Sequence, residues 1–212
     1  MSEAGGLTTL AREARAEFEE KKSVFIAYAC PIETEAQAQD YIKQKKAEFA
    51  DARHNVWCYR LSGDTVQRCS DDGEPQGSAG VPTLDVLRKS GICNAVIVTT
   101  RYFGGILLGA GGLVRAYSAA ARLAVEAAGI VTYSRYAVLR LVCSYATYQR
   151  YLVELPRFGA LIDGTDFTDR VEVRFAVPVE VVPSLSLRIS EMSNGAELPE
   201  VVGERFDRAR AD

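Results

Sequence analysis

Histidine occurs once in this 212-residue chain, at His54, which removes most chemistry that relies on imidazole. A strand through His54 would put Cys58 on the same face about 13 Å away, too far for proton transfer. No nucleophile elbow accompanies them, so a hydrolase is not expected and His54 reads as structural. Cysteine is sparse too: the five (Cys30, Cys58, Cys69, Cys93, Cys143) are odd in number, and no two have CxxC spacing. That excludes a zinc knuckle or a disulfide framework and points to a reducing cytoplasm. No apolar run approaches the roughly 20 residues that cross a bilayer, so no membrane role is expected. Residues 1–18 lack the apolar core of a secretory signal. A charge excess is missing as well. Up to residue 129 there are 15 basic and 16 acidic residues, and afterwards 10 and 12, with no lysine among the latter basic set. Global electrostatics therefore do not advertise nucleic acid, and only a local patch would serve it.

What is present is an ordinary globular composition, 48% apolar and 25% charged, arranged in two rhythms. In the first, residues 23–30 alternate as a strand. Residues 12–18 suit a partner strand or a short helix, and propensity favours the helix. Thr34 and Gln37 form a capping box ahead of Ala38, Tyr41, Ile42 and Phe49 at helical spacing. Residues 55–61 are β-rich, and Gly63-Asp64 reads as a tight turn returning through Val66. Pro82 opens a short helix, and the β-branched run 95–100 leads into a glycine-rich loop. A helix over 112–128 follows, with Leu113, Tyr117, Ala120, Ala124 and Ala128 on one face, stopping at Gly129. The second rhythm runs strand (136–143), helix capped by Ser144, weak strand (160–167) and a cleanly alternating strand through Val171, Val173, Phe175 and Val177. A helix from Pro183 and a last strand (198–202) complete it. That order, βαββαβ, is the ferredoxin-like plait. The expected class is α+β, with domains at residues 1–130 and 131–212.

Two segments carry chemistry. In RYFGGILLGAGGLVRAY (101–117), Gly104, Gly105, Gly109, Gly111 and Gly112 lie between Arg101 and Arg115. A Walker A reading fails, because Ala110 and Gly111 stand where Lys and Ser/Thr are required. No G-x-G-x-x-G occurs, so the dinucleotide fingerprint fails too. What survives is an anion cradle of backbone N–H groups with Arg101 or Arg115 as bidentate partner, against glycines that serve only close packing. Arg101-Tyr102-Phe103 offers charge plus stacking for single-stranded nucleic acid, or two core plugs. In SDDGEPQGSAGVP (70–82), Asp71, Asp72 and Glu74 would suit a hard cation such as Mg²⁺, although Asp and Gly also make turns for backbone reasons.

Taken together with EKKSVFIAYACPI (20–32) and HNVWCYRL (54–61), these motifs resemble the IMPACT family in its bacterial, YigZ-like form. Ser78, where members often have threonine, keeps the hydroxyl. The resemblance implies a first domain like the second domain of ribosomal protein S5 and a second domain like a plait of elongation factor G. Eukaryotic relatives regulate translation through an additional N-terminal domain, and the motifs bring no catalytic residues with them. Two expectations follow. In the first, the chain is a non-enzymatic cytoplasmic protein that binds RNA, the ribosome or a translation factor through residues 101–105, Gly109, Gly111, Gly112, Arg115 and Ser78. In the second, the same loop binds a small phosphorylated ligand, with a cation on Asp71, Asp72 and Glu74.

Overall fold

The computed structural model describes residues 6–62 and 66–208. The chain divides into two compact units, one spanning Leu7–Thr132 and the other holding the segment from Tyr133 onward. The expected turn at Gly63-Asp64 lies outside the described residues. Among those residues no helix is long and apolar enough to cross a membrane.

In chain order the first unit holds β1 (Leu7–Leu10), β2 (Ala14–Glu20), β3 (Ser23–Pro31), α1 (Glu35–Glu48), β4 (His54–Arg60), β5 (Gln67–Ser70), α2 (Gly80–Lys89), β6 (Ala95–Tyr102) and α3 (Gly109–Ala128). Five strands form an antiparallel sheet in the order β2-β3-β6-β4-β5. The two-residue period of β3 divides its side chains between two cores. Phe25, Ala27 and Ala29 pack toward α2 and α3, while Ile26 and Tyr28 pack toward α1. Helices thus cover both faces. This is why β6, the central strand, reads as an unbroken apolar run rather than an alternation. Alanines 116, 120, 121, 124 and 128 let α3 lie close to the sheet, and Tyr117 meets Phe25 edge-on at 5.1 Å.

Helix propensity over residues 12–18 loses to strand pairing. Ala14, Ala16 and Phe18 alternate with exposed Arg15 and Glu17, so the strand buries one face that a helix would scatter. The turn into β3 is tight: Glu20 pairs with Ser23, leaving Lys21 and Lys22 as a two-residue loop. Both have positive φ, 48° and 64°, in a position where Asn-Gly is the unstrained choice.

The second unit contains the remainder of β7 (Ile130–Cys143), then α4 (Tyr145–Glu154), β8 (Leu161–Phe167), β9 (Val171–Pro178), α5 (Val182–Met192) and β10 (Glu200–Arg208). The strand order β10-β7-β9-β8, antiparallel throughout, is the ferredoxin-like arrangement expected from βαββαβ. Leu139, Leu141, Val173 and Phe175 face Tyr148, Tyr151, Leu185 and Ile189 across one apolar core. Ser144 and Thr147 cap α4 reciprocally. The last strand runs later and longer than expected.

Candidate functional site

The two chemistry-bearing segments do meet, but much of their charge meets inside the protein. Arg101 extends from the end of β6 into the α3 side of the sheet, where its side chain is 8% exposed. Its Nη1 donates to Glu74 Oε1 at 2.7 Å, and the Tyr117 hydroxyl donates to the same oxygen at 2.8 Å. Burial pushes the Tyr117 hydroxyl far above its ordinary range, and the Glu74 charge adds to that, so it stays a proton donor. Arg101 Nη2 reaches Ser23 Oγ at 3.3 Å, and that oxygen also accepts the Gly104 N–H at 3.2 Å. Arg101 is therefore a strut joining the two motifs to the start of β3. It is not a hand extended to a ligand, which corrects the expectation placed on it.

Asp71, Asp72 and Glu74 do not converge. Asp71 turns back to accept N–H bonds from Gly77, Ala79 and Gly80, at 2.8, 3.0 and 2.8 Å, capping α2 from a distance. Burial pushes its carboxyl upward, but those three bonds outweigh it and hold the group below the usual carboxylate range. Asp72 accepts from Lys46 at 2.5 Å and from the Asn55 N–H at 2.7 Å, while its carbonyl meets His54 Nδ1 at 2.8 Å. Each carboxylate thus has its own protein partner, and no ligand set of three or more His, Cys, Asp or Glu forms among the described residues. His54 has the structural role expected of it. Ser78 is buried, its hydroxyl donating to the Pro75 carbonyl at 2.6 Å, so it too is withdrawn from any ligand.

The glycine-rich loop itself stays outside. Phe103, Ile106 and Leu107 are exposed, the last at 83%. Phe103 shares its ring with the Arg101 guanidinium, whose carbon lies 5.6 Å from the ring centroid, and Tyr102 donates to Asp51 at 2.9 Å. Arg101 and Tyr102 are thereby engaged within the protein, whereas the Phe103 ring stays exposed. Gly104 is there for close packing: a Cβ built on it would fall 2.0 Å from the Lys22 carbonyl carbon and oxygen. Gly105 and Gly109 have positive φ, whereas Gly111 and Gly112 lie in the first turn of α3. No side chain caps that turn, and no acidic residue occupies it. Arg115 reaches back over it, with Nη1 3.8 Å from where a Gly111 methyl would be.

Here a groove opens that sequence reasoning did not assemble. It has a volume of about 430 Å³, and Lys21, Arg115, Arg122, Phe18 and Leu108 line it, with Glu20 as its single acidic residue. Neither Lys21, Arg115 nor Arg122 has an ion-pair partner among the described residues. Arg115 and Arg122 are seven apart on α3, so two helical turns bring them to one face, and the hairpin adds Lys21 from the side. The seven-residue spacing of the two arginines was the available signal. A second hollow, about 290 Å³, joins Gly77, Val81 and Pro82 of the 70–82 segment to Val114 and Arg122 of α3.

In the second unit, the sheet face opposite the core carries Arg140, Glu172 and Arg174, which pair at 2.8 and 3.0 Å.

The chain is similar to known proteins along most of its length. Residues 21–125 match a family described as the Impact N-terminal domain, and residues 141–196 match a domain of unknown function, DUF1949. IMPACT family member YvyE of Bacillus subtilis is 34% identical over 176 residues, covering 82% of this chain and 81% of its own. IMPACT family member YigZ of Escherichia coli is 33% identical over 179 residues, 83% of this chain and 88% of its own. A crystal structure of a hypothetical protein superposes with a TM-score of 0.58 at 29% identity, covering 94% of this chain and 98% of that one.

Proposed function

This chain belongs to the IMPACT family, and from that premise we propose that it is a non-enzymatic cytoplasmic regulator of translation that binds RNA through the groove beside α3. The observation that carries the reading is the gathering of Lys21, Arg115 and Arg122, without ion-pair partners among the described residues, around one groove. The near balance of charge over the whole chain had argued against nucleic acid, and a local cluster answers that objection. Phosphate contacts need local cations, not a basic average. The groove also adjoins the uncapped first turn of α3, whose dipole adds positive potential at that end. The resemblance to translation-linked relatives supplies the process. The interior Glu74–Arg101 strut serves the groove indirectly, by fixing Ser23 and Gly104 beneath the hairpin that carries Lys21.

Fluorescence anisotropy with a labelled single-stranded RNA, repeated at several salt concentrations, tests this. With three phosphate contacts the logarithm of affinity falls against the logarithm of salt with a slope of about −2. Arg115→Ala and Arg122→Ala each weaken binding across sequences and bring the slope nearer zero by about 0.7. Absence of binding, or affinity that neither salt nor these substitutions change, contradicts the proposal. A rise in melting temperature with a sugar phosphate but no RNA binding would reassign the groove to a small phosphorylated ligand.

A further inference from the structure

On the opposite face of the same sheet, α1 and β4 border an open pocket of about 420 Å³ that the reading above does not use. Gln39, Ile42, Lys43 and Lys46 line it from the helix, and Trp57 and Tyr59 from the strand. The helical residues follow i, i+3, i+4, i+7 spacing and so form one stripe; the strand residues are two apart and share a face. The Trp57 and Tyr59 rings lie parallel within 8°, their centroids 5.8 Å apart. Tyr59 is held from below, buried, its hydroxyl bonded to Glu35. Trp57 is only half-buried.

The chemistry of the walls selects a ligand class. A flat aromatic platform over an isoleucine favours a planar, weakly polar group with a π face. Lys46 already serves Asp72 at 2.5 Å, whereas Lys43 has no ion-pair partner among the described residues and stands exposed at the rim. Gln39, beside it on the helix, bonds the Tyr59 hydroxyl through its amide and keeps its carbonyl oxygen for the edge of a ring. We infer that the pocket between α1 and β4 binds a nucleoside phosphate, with the base on Trp57 and the phosphate at Lys43. A plain phosphate would leave the aromatic platform unused, and a plain apolar group would leave Lys43 unpaired. The ligand would be either a free nucleotide or one unit of a single strand, since both present the same base and phosphate. Stacking on an aromatic tolerates every base, so the site discriminates little by sequence.

Trp57 is the only tryptophan in the chain, so its fluorescence reports this pocket alone. Titration of the full chain with adenosine and uridine monophosphates, and separately with oligouridylate, is expected to quench it saturably. Lys43→Ala, an exposed change that leaves the fold intact, weakens the apparent affinity by about fivefold, the size of one exposed ion pair. Quenching by mononucleotides identifies a free nucleotide as a sufficient ligand; quenching by the oligomer alone identifies a strand. Arg115→Ala leaves this signal unchanged, so failure here is distinct from failure of the groove on the α3 side. No quenching by either probe, equal quenching by inorganic phosphate, or indifference to Lys43→Ala overturns the inference.

Discussion

Glu74→Ala is expected to destabilise the first unit by about 3–5 kcal/mol, because it leaves Arg101 charged, buried and without a counter-ion. The Glu74 side chain is 3% exposed and Arg101 8%, so water cannot replace the lost carboxylate. Tyr117 loses its acceptor in the same change, adding an unsatisfied buried hydroxyl. Urea unfolding of the wild type and variant measures the loss. Replacing both charged residues, Arg101→Met with Glu74→Leu, is expected to recover the share owed to the stranded charge, while the Tyr117 hydroxyl stays without its acceptor. A loss below about 1 kcal/mol for Glu74→Ala would mean that the pair is solvated in solution and free to meet a ligand.

The next largest effect is expected at Gly104. A methyl there would overlap the Lys22 carbonyl, 2.0 Å away, and neither partner is a side chain able to swing aside. Gly104→Ala therefore forces the loop and the β2–β3 hairpin apart, at about 3 kcal/mol, the upper end of ordinary overpacking. The same displacement moves Lys21 from the groove, so RNA affinity falls along with stability. Gly111→Ala is the matched comparison. Its nearest neighbour is the mobile end of Arg115 at 3.8 Å, and alanine is the better helix former by up to about 1 kcal/mol. Equal behaviour of the two variants in thermal melts would remove close packing as the reason for Gly104.

These two positions show where the sequence was readable. Patterns with a single physical cause were legible: the Thr34 cap, which does accept the Gln37 N–H, the alternation through Val171, Val173, Phe175 and Val177, and the helix stop at Gly129. The bland reading of the acidic turn also survives in detail, for Asp71 is occupied by backbone N–H groups. The buried position of Arg101 is not legible locally, because arginine is assigned to solvent by default. The register of β6 nevertheless places it opposite Phe25 and His54, on the strand's inward continuation. Its partner Glu74 lies 27 residues earlier, beyond the reach of any local pattern. The β2 strand was obscured by Ala, Arg and Glu, whose helical preference yields to pairing with β3. The hairpin itself carries neither Gly nor Asn, so its turn was invisible to turn chemistry.

That missing turn chemistry leads to the most direct measurement. If the left-handed turn at Lys21 and Lys22 is kept because the Lys21 charge is needed at the groove, relieving the strain must separate stability from binding. Lys21→Asn with Lys22→Gly is predicted to raise unfolding stability by about 1 kcal/mol while weakening RNA binding and flattening its salt dependence. A double variant that is more stable and binds RNA as the wild type does would contradict the account.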